Sequence, residues 1–347
     1  MDFNENPFIV IWEMTRSCGL RCVHCRAEAL ETRDPGELSL EEAFTLLSEI
    51  RRFGKPLVVL TGGDPMRRPD VFEVIEYGVS LGLHMALTPS GTSEMTREKV
   101  KLLKEKGLAR LAVSLDGSDA VTHDRFRKVE GSFNWTLQIL RWANELGLST
   151  QINTTITKYN LEDLDALVGL LESLKISLWS VFFLVPVGRG KYEDEVSAQD
   201  YEKVFHKMAD LSDRASFNIK STEAPSYRRV LIQRNTSLPK NILGINDGKG
   251  FVFISHTGEI YPSGFLPLSA GNVKCQSLVS VYRDSPLFKR IRDTHELKGK
   301  CGACEFKSIC GGSRSRAFAV TGDYMQSDPF CCYIPKRMEN FGENDNG

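Results

Sequence analysis

The chain has 347 residues, enough for one large α/β unit and a smaller one, and its 44 basic residues against 45 acidic ones leave a formal charge of -1. So even a balance gives no general attraction to nucleic acid, and the longest apolar run, Val181 to Val187, falls far short of the roughly 20 residues that a membrane-spanning helix needs. With no basic-then-apolar leader, the sequence predicts a soluble cytoplasmic protein with neither a membrane nor a nucleic-acid partner.

Phe8 to Met14 is short, apolar and rich in β-branched residues, which predicts a buried strand, and the thiols of Cys18-Gly-Leu-Arg-Cys22-Val-His-Cys25 follow it. Ser39-Leu-Glu-Glu42 is a capping box for a helix that places Ala43, Phe44, Leu47 and Ile50 at helical spacing. Further strands are predicted at 57–60, 84–88, 108–115, 149–156 and 178–185. Helices are predicted at 71–81, from Thr96, at 133–146, from a cap at Asn160 through leucines 161, 164, 167, 171 and 174, and from Ser197. Six strand-then-helix units in succession imply parallel strands with right-handed crossovers, whose sites lie at the carboxyl ends of the strands. After Phe217 the rhythm stops, and from about residue 245 the chain turns to Gly, Pro and Cys with a short β-like run at 251–255. The expected fold is α/β: a partial (β/α)6 TIM-type barrel over 1–215, a connecting segment over 216–245, a small metal-stapled unit over 246–340 and a frayed tail over 341–347.

Seven of the nine cysteines fall into two compact groups, and in a chain without a secretion signal such grouping reads as metal ligation more readily than as disulfides. Cys18, Cys22 and Cys25 form C-x3-C-x2-C. Three thiolates can hold three corners of a 4Fe-4S cube, leaving one iron free to bind something else; a structural zinc with His24 as fourth ligand is the alternative. Cys301, Cys304, Cys310 and Cys331 form C-x2-C-x5-C-x20-C, enough to ligate a second cube fully or a tetrahedral zinc. Cys332 leaves that register open by one residue, and Cys275 is expected to be a buried structural thiol.

The first run resembles the signature of the radical S-adenosylmethionine (SAM) superfamily, and the strand ends carry matching elements in the order that superfamily requires. In it the open iron chelates the amino and carboxylate groups of SAM, and an electron from the cluster yields a 5'-deoxyadenosyl radical that abstracts hydrogen from substrate. Thr61-Gly62-Gly63-Asp64-Pro65 resembles the Gly-Gly-Glu-Pro loop that holds the SAM amino group, with Asp64 in place of Glu. Thr88-Pro-Ser90-Gly-Thr92 resembles a loop that reaches SAM through Ser90. Ser114-Leu-Asp-Gly117 and His123-Asp-Arg-Phe-Arg127 resemble elements whose Ser114 and Arg127 counterparts engage the SAM carboxylate. Asn153 matches a position that reaches the ribose, and Pro186-Val-Gly-Arg-Gly190 resembles the loop that packs on adenine. Each loop also reads as an ordinary turn, and Arg125 as part of a solvated helix start.

The C-terminal group resembles one auxiliary 4Fe-4S cluster of the SPASM/twitch extension. The other auxiliary cluster is expected to be absent, because Ser263 and Arg314 stand where its cysteines would be. Glu223-Ala-Pro-Ser-Tyr-Arg-Arg229 and Cys310-Gly-Gly-Ser-Arg-Ser-Arg-Ala-Phe-Ala-Val-Thr-Gly-Asp323 resemble segments of radical SAM proteins from the alternative haem and haem d1 routes, though Ser313 replaces an expected cysteine. The resemblance implies oxidative decarboxylation or side-chain removal at a tetrapyrrole propionate, with a ferredoxin or flavodoxin as electron donor. Arg228, Arg229, Arg314 and Arg316 suit propionate carboxylates or pair with acidic neighbours within the protein. Two other readings stand beside it. One is a maturase of ribosomal peptides, against which counts the short stretch before the first strand; the other is a non-catalytic iron-sulfur electron carrier, which needs no SAM-contact loops.

Overall fold

The structure, a computed structural model, describes residues 2–234 and 244–339. The predicted tail at 341–347 and the stretch 235–243 of the connecting segment lie outside the described residues. One ten-stranded sheet organises the chain. In chain order its strands are β1 (Ile9–Glu13), β2 (Leu57–Thr61), β3 (His84–Leu87), β4 (Arg110–Ser114), β5 (Thr150–Ile156), β6 (Leu178–Phe183), β7 (Asn218–Thr222), β8 (Phe251–Ile254), β9 (Glu259–Tyr261) and β10 (Gly271–Asn272). Their order across the sheet is β10-β9-β8-β1-β2-β3-β4-β5-β6-β7, parallel from β8 to β7 and antiparallel at β9 and β10.

All six predicted strands are present. Alternation explains how each is used, because successive side chains point to opposite faces of a strand. Val10, Trp12, Val58, Leu60, Val113, Ile152 and Val181 are wholly buried under the helices and form the main core. The other face carries Arg110 and Ser114 of β4 and Gln151, Asn153 and Thr155 of β5, all only partly covered. The capping box of the helix Leu40–Arg51 forms as read, with Ser39 accepting from Glu42 N, and Thr96 and Ser197 cap the helices Arg97–Glu105 and Ala198–Ser212.

Four expectations are corrected. The rhythm does not stop at Phe217: β7 pairs in parallel with β6, and the helix Ser226–Gln233 follows. The 251–255 run becomes β8, hydrogen-bonded in parallel to β1 from Ile9↔Phe251 to Trp12↔Ile254, so the C-terminal region shares the barrel's sheet. Asn160 does not cap its helix. It folds back to accept from Thr157 N at 2.9 Å and donates to Asp116 O and Thr155 O, and the helix Leu164–Ser173 starts after Asp163. Cys275 is exposed, its thiol 3.6 Å from Asn272 O, because it sits in the turn after the two-residue strand β10.

No helix among the described residues is long and apolar enough to cross a membrane.

Candidate functional site

The strand ends bring the predicted loops against one another. After β1 the chain runs alongside the loop after β2: Gly63 N donates to Thr15 O and Asp64 N to Ser17 O, both at 2.7 Å. A Cβ on Gly62 would stand 2.4 Å from Thr15 O, and one on Gly63 would stand 2.5 Å from Ser17 O. The close approach these glycines permit is to the backbone that leads into Cys18.

Asp64 is buried and its carboxylate accepts from Met66 N at 3.1 Å and Ser90 N at 3.3 Å, so it fastens the loop after β2 to the loop after β3. Burial pushes that carboxyl up to about 6, with the two amides pulling the other way. Ser90 Oγ lies 3.1 Å from Gly63 O and 3.1 Å from Cys18 Sγ. Arg127 lies on the helix Ala120–Arg127, the charged helix of the alternative reading for Arg125, closed by Lys128 in the left-handed conformation. The guanidinium of Arg127 forms a buried ion pair with Asp116 and points Nη1 at Cys22 Sγ, 3.5 Å away. Ser114 and Asn153 are register partners on the concave face, where Asn153 Oδ1 accepts from Gln151 at 2.7 Å. The loop from Pro186 to Gly190 seats on the cysteine run: Arg189 N donates to Cys25 O at 3.0 Å and Arg189 Nε to Cys22 O at 3.1 Å, and a Cβ on Gly188 would stand 2.4 Å from Arg26 O.

Several buried polar atoms around these thiols have no hydrogen-bond partner among the described residues: Arg127 Nε, Arg189 Nη2, His24 Nδ1 and Thr92 Oγ1. His24 packs on Phe126 with ring centroids 4.5 Å apart, and burial together with Arg127, Arg189 and His123 holds it well below the ordinary histidine range, hence neutral. Burial raises the Cys18 thiol to about 11 and also raises Cys22. Buried thiols with cationic and N–H donors aimed at their sulfurs suit thiolates stabilised by bound metal, and unpartnered donors beside them suit a further anionic group.

The second group of cysteines is finished differently. Cys301, Cys304, Cys310 and Cys331 line one cavity of about 370 Å3, counted to its open mouth, together with Lys300, Lys307 and Asp328. Cys331 lines that cavity and Cys332 does not. Cys301 Sγ accepts from Asp328 N at 3.4 Å and Arg314 Nη2 at 3.6 Å, and Cys310 Sγ accepts from Gly312 N at 3.4 Å. Gly312 has φ +67, and a Cβ there would stand 2.9 Å from Cys301 Sγ. Burial pushes Cys310 and Cys331 up to about 12. Ser263 and Ser313 both donate to Glu223, at 3.2 and 2.9 Å, so a hydrogen-bonded carboxyl joins two positions where cysteine was expected.

The four arginines read as carboxylate partners are occupied within the protein. Arg228 donates to Ile309 O and Ile245 O, Arg229 pairs with Glu202, and Arg314 donates to Tyr324 O and Gln326 O. Arg316 donates to Leu184 O and Glu223 O and pairs with Asp328 and Glu195. Asp116, Arg189 and the trio of buried Glu13 and His256 with part-buried Arg26 at the top of β1 were missed by the sequence reading. A carboxylate closing a strand that leads into a cysteine loop is the signal that could have marked Glu13.

Residues 12–171 match the family model described as Radical SAM superfamily. The chain is 40% identical over 343 residues to the AdoMet-dependent heme synthase of Methanosarcina barkeri, covering 95% of this chain and 97% of that protein. It is 29% identical to the PqqA peptide cyclase of Rhodopseudomonas palustris, covering 95% and 88% respectively. Among solved structures, Streptococcus suis SuiB bound to S-adenosylmethionine superposes with a TM-score of 0.77 at 19% identity, over 95% of this chain and 78% of that one, a likeness of fold. Thiols gathered beneath unpartnered donors at the strand ends of a partial barrel, and identity sustained along the whole length, place the chain in the radical SAM superfamily, as an enzyme that depends on a 4Fe-4S cluster and S-adenosylmethionine.

Proposed function

We propose that the chain acts on the propionate side chains of a haem-precursor tetrapyrrole such as iron-coproporphyrin III and converts them to vinyl groups. One observation carries the reading: identity to a heme synthase extends over 95% of this chain and 97% of that protein, so the likeness takes in the C-terminal region as well as the barrel. Each propionate would lose one hydrogen atom, one carbon dioxide and one electron, and the vinyl double bond forms between the two carbons that remain.

In this reading Cys18, Cys22 and Cys25 would hold the SAM-binding cluster, and Cys301, Cys304, Cys310 and Cys331 would hold a second 4Fe-4S cluster, which would supply an acceptor for the departing electron. When bound, the first cluster supplies the electron that splits SAM. The protein's own part is placement. Gly62 and Gly63 set the loop that faces the SAM amino group, while Asp64 and Ser90 brace it. Arg127 Nε and Arg189 Nη2, buried and without a partner among the described residues, would receive the SAM carboxylate. Ser114 joins Arg127 on the carboxylate side, Asn153 lines the ribose side, and the Pro186 loop covers the adenine. The barrel is taken to run on through β7 and the helix Ser226–Gln233, with the second unit over 246–340. A cytoplasmic ferredoxin or flavodoxin supplies electrons.

The test is anaerobic reconstitution with iron, sulfide and SAM, followed by mass analysis after incubation with iron-coproporphyrin III. Loss of carbon dioxide from the porphyrin, with 5'-deoxyadenosine formed in step, is the expected result. An untouched porphyrin, with a peptide encoded beside the gene losing two hydrogens, overturns the reading in favour of peptide maturation.

A further inference from the structure

The concave face of the sheet holds two cations that the site described so far does not use. Paired residues of a parallel sheet share a face, and the row Ser114↔Asn153↔Ser180↔Lys220 runs from β4 across β5 and β6 to β7. Arg110 precedes Ala112, the partner of Gln151, by two residues and so lies on that same face. The intervening Leu111 and Val113 are buried on the other.

Neither cation is matched. No ion pair or side-chain hydrogen bond to Arg110 or Lys220 exists among the described residues, and Arg110 Nε is buried without a partner. Lys220 is exposed to solvent yet ringed by protein, as a side chain standing in an open lumen is. Burial and the nearby Arg110 pull its ammonium down to about 8, and burial alone lowers Arg110; no carboxylate offsets either. Two like charges on one face with no carboxylate between them raise the free energy of the empty site, and an anion placed between them relieves it. Their neighbours are hydrogen-bonding groups, Gln151 with Asn153 and Ser180 with Thr222, the latter pair 3.0 Å apart. Asn153 and Lys220 are two strands apart in one row, about 10 Å at ordinary strand spacing, so an anion at Lys220 would lie beside the ribose-facing position.

We propose that Arg110 and Lys220 form a carboxylate-binding subsite on the concave face of the barrel, which fixes an acidic side chain of the substrate beside the SAM site. On the tetrapyrrole reading above, on which this assignment rests, that side chain is a propionate. The arginines of the C-terminal region are engaged by carbonyls and carboxylates, which leaves this strand-borne pair to recognise the acid, and strands hold such groups more rigidly than loops.

Binding by the reconstituted holoprotein, followed through the porphyrin's absorbance, tests it with two probes: iron-coproporphyrin III and its tetramethyl ester. The wild type is expected to favour the free acid. Arg110→Gln and Lys220→Gln should each weaken binding of the acid about tenfold or more and leave the ester unchanged, since a charge-assisted contact is lost. Lys220→Arg and Arg110→Lys should recover part of the loss, and iron content and circular dichroism matched to wild type report that each variant is folded. Variants that bind the acid as tightly as wild type overturn the subsite while leaving the tetrapyrrole reading intact. A wild type that binds neither probe overturns both. Equal loss for acid and ester also overturns it, because only a structural role would act on both.

Discussion

The two cysteine groups use the same chemistry and are finished in opposite ways. Around Cys18, Cys22 and Cys25, buried donors such as Arg127 Nε and Arg189 Nη2 have no partner. Around the four C-terminal thiols, Arg314 is saturated by Gly312 O, Tyr324 O, Gln326 O and Cys301 Sγ. Because an unpartnered buried donor costs roughly 1–3 kcal/mol, two of them beside one group of thiols mark a place where something else is to be held. The first group is built to receive a ligand, and the second is closed upon itself.

The largest effects should separate the two. Replacing Cys22 with Ala removes one of only three ligands and is expected to abolish the first cluster and all 5'-deoxyadenosine formation under dithionite, with the second cluster's absorbance retained. Replacing Cys301, Cys304 and Cys310 together should do the reverse: SAM is still cleaved, while porphyrin decarboxylation is lost. Full turnover by the triple variant, with the first cluster unchanged, would show that the closed group has no part in the reaction.

A smaller effect tests the ion pair beneath the open group. Asp116 has no solvent exposure, and Arg127 neutralises it while facing Cys22. Arg127→Gln strands that carboxylate and should destabilise the holoprotein by about 3–5 kcal/mol, whereas Arg127→Gln with Asp116→Asn should regain part of it. Denaturant midpoints measured anaerobically give both values; a double variant no more stable than the single one would mean that the pair acts through the cluster and not through charge.

How far the sequence revealed this contrast depends on which signals are local. The six barrel strands were legible because their helix-facing side chains repeat as apolar runs, and both thiol groups because ligand spacing is local. β7 was not, since Asn218, Lys220 and Thr222 face the lumen and leave only Ile219 as an apolar mark. β8 was visible as a run but its partner was not: Phe251 pairs with Ile9 at the opposite end of the chain. The arginines of the C-terminal region were read as carboxylate seekers by type; Arg229 and Arg316 pair with acidic neighbours within the protein, but Arg228 and Arg314 are held by backbone carbonyls, which leave no trace in the residue pattern. Arg110 and Lys220 escaped notice for the converse reason, because a lone cation in a strand takes on meaning only once register shows which face it shares.

The smallest effect lies where the two regions meet, at the junction of β1 and β8. His256 Nδ1 lies 3.0 Å from Glu13 and Nε2 3.4 Å from Asp34, and Glu13 is also paired with Arg26. Burial alone would lower His256, but Glu13 and then Asp34 outweigh it and raise the imidazole above its ordinary 6.5. A raised value means that the stabilisation is fully present below about 6.5 and is lost as pH rises through the folded-state value. Glu13 runs the other way: burial is outweighed by Arg26 and His256, so its carboxyl is lowered and its contribution is lost only in acid, below its ordinary 4.5. Stability from this junction should therefore be greatest in mildly acidic solution and decline from neutrality upward, by less than about 1.4 kcal/mol per pH unit after screening by solvent. His256→Gln keeps a hydrogen-bonding group without the charge, so unfolding measured from about pH 6 to about pH 8 should lose that slope. A slope unchanged by the substitution would place the pH response elsewhere and leave this junction without a part in it.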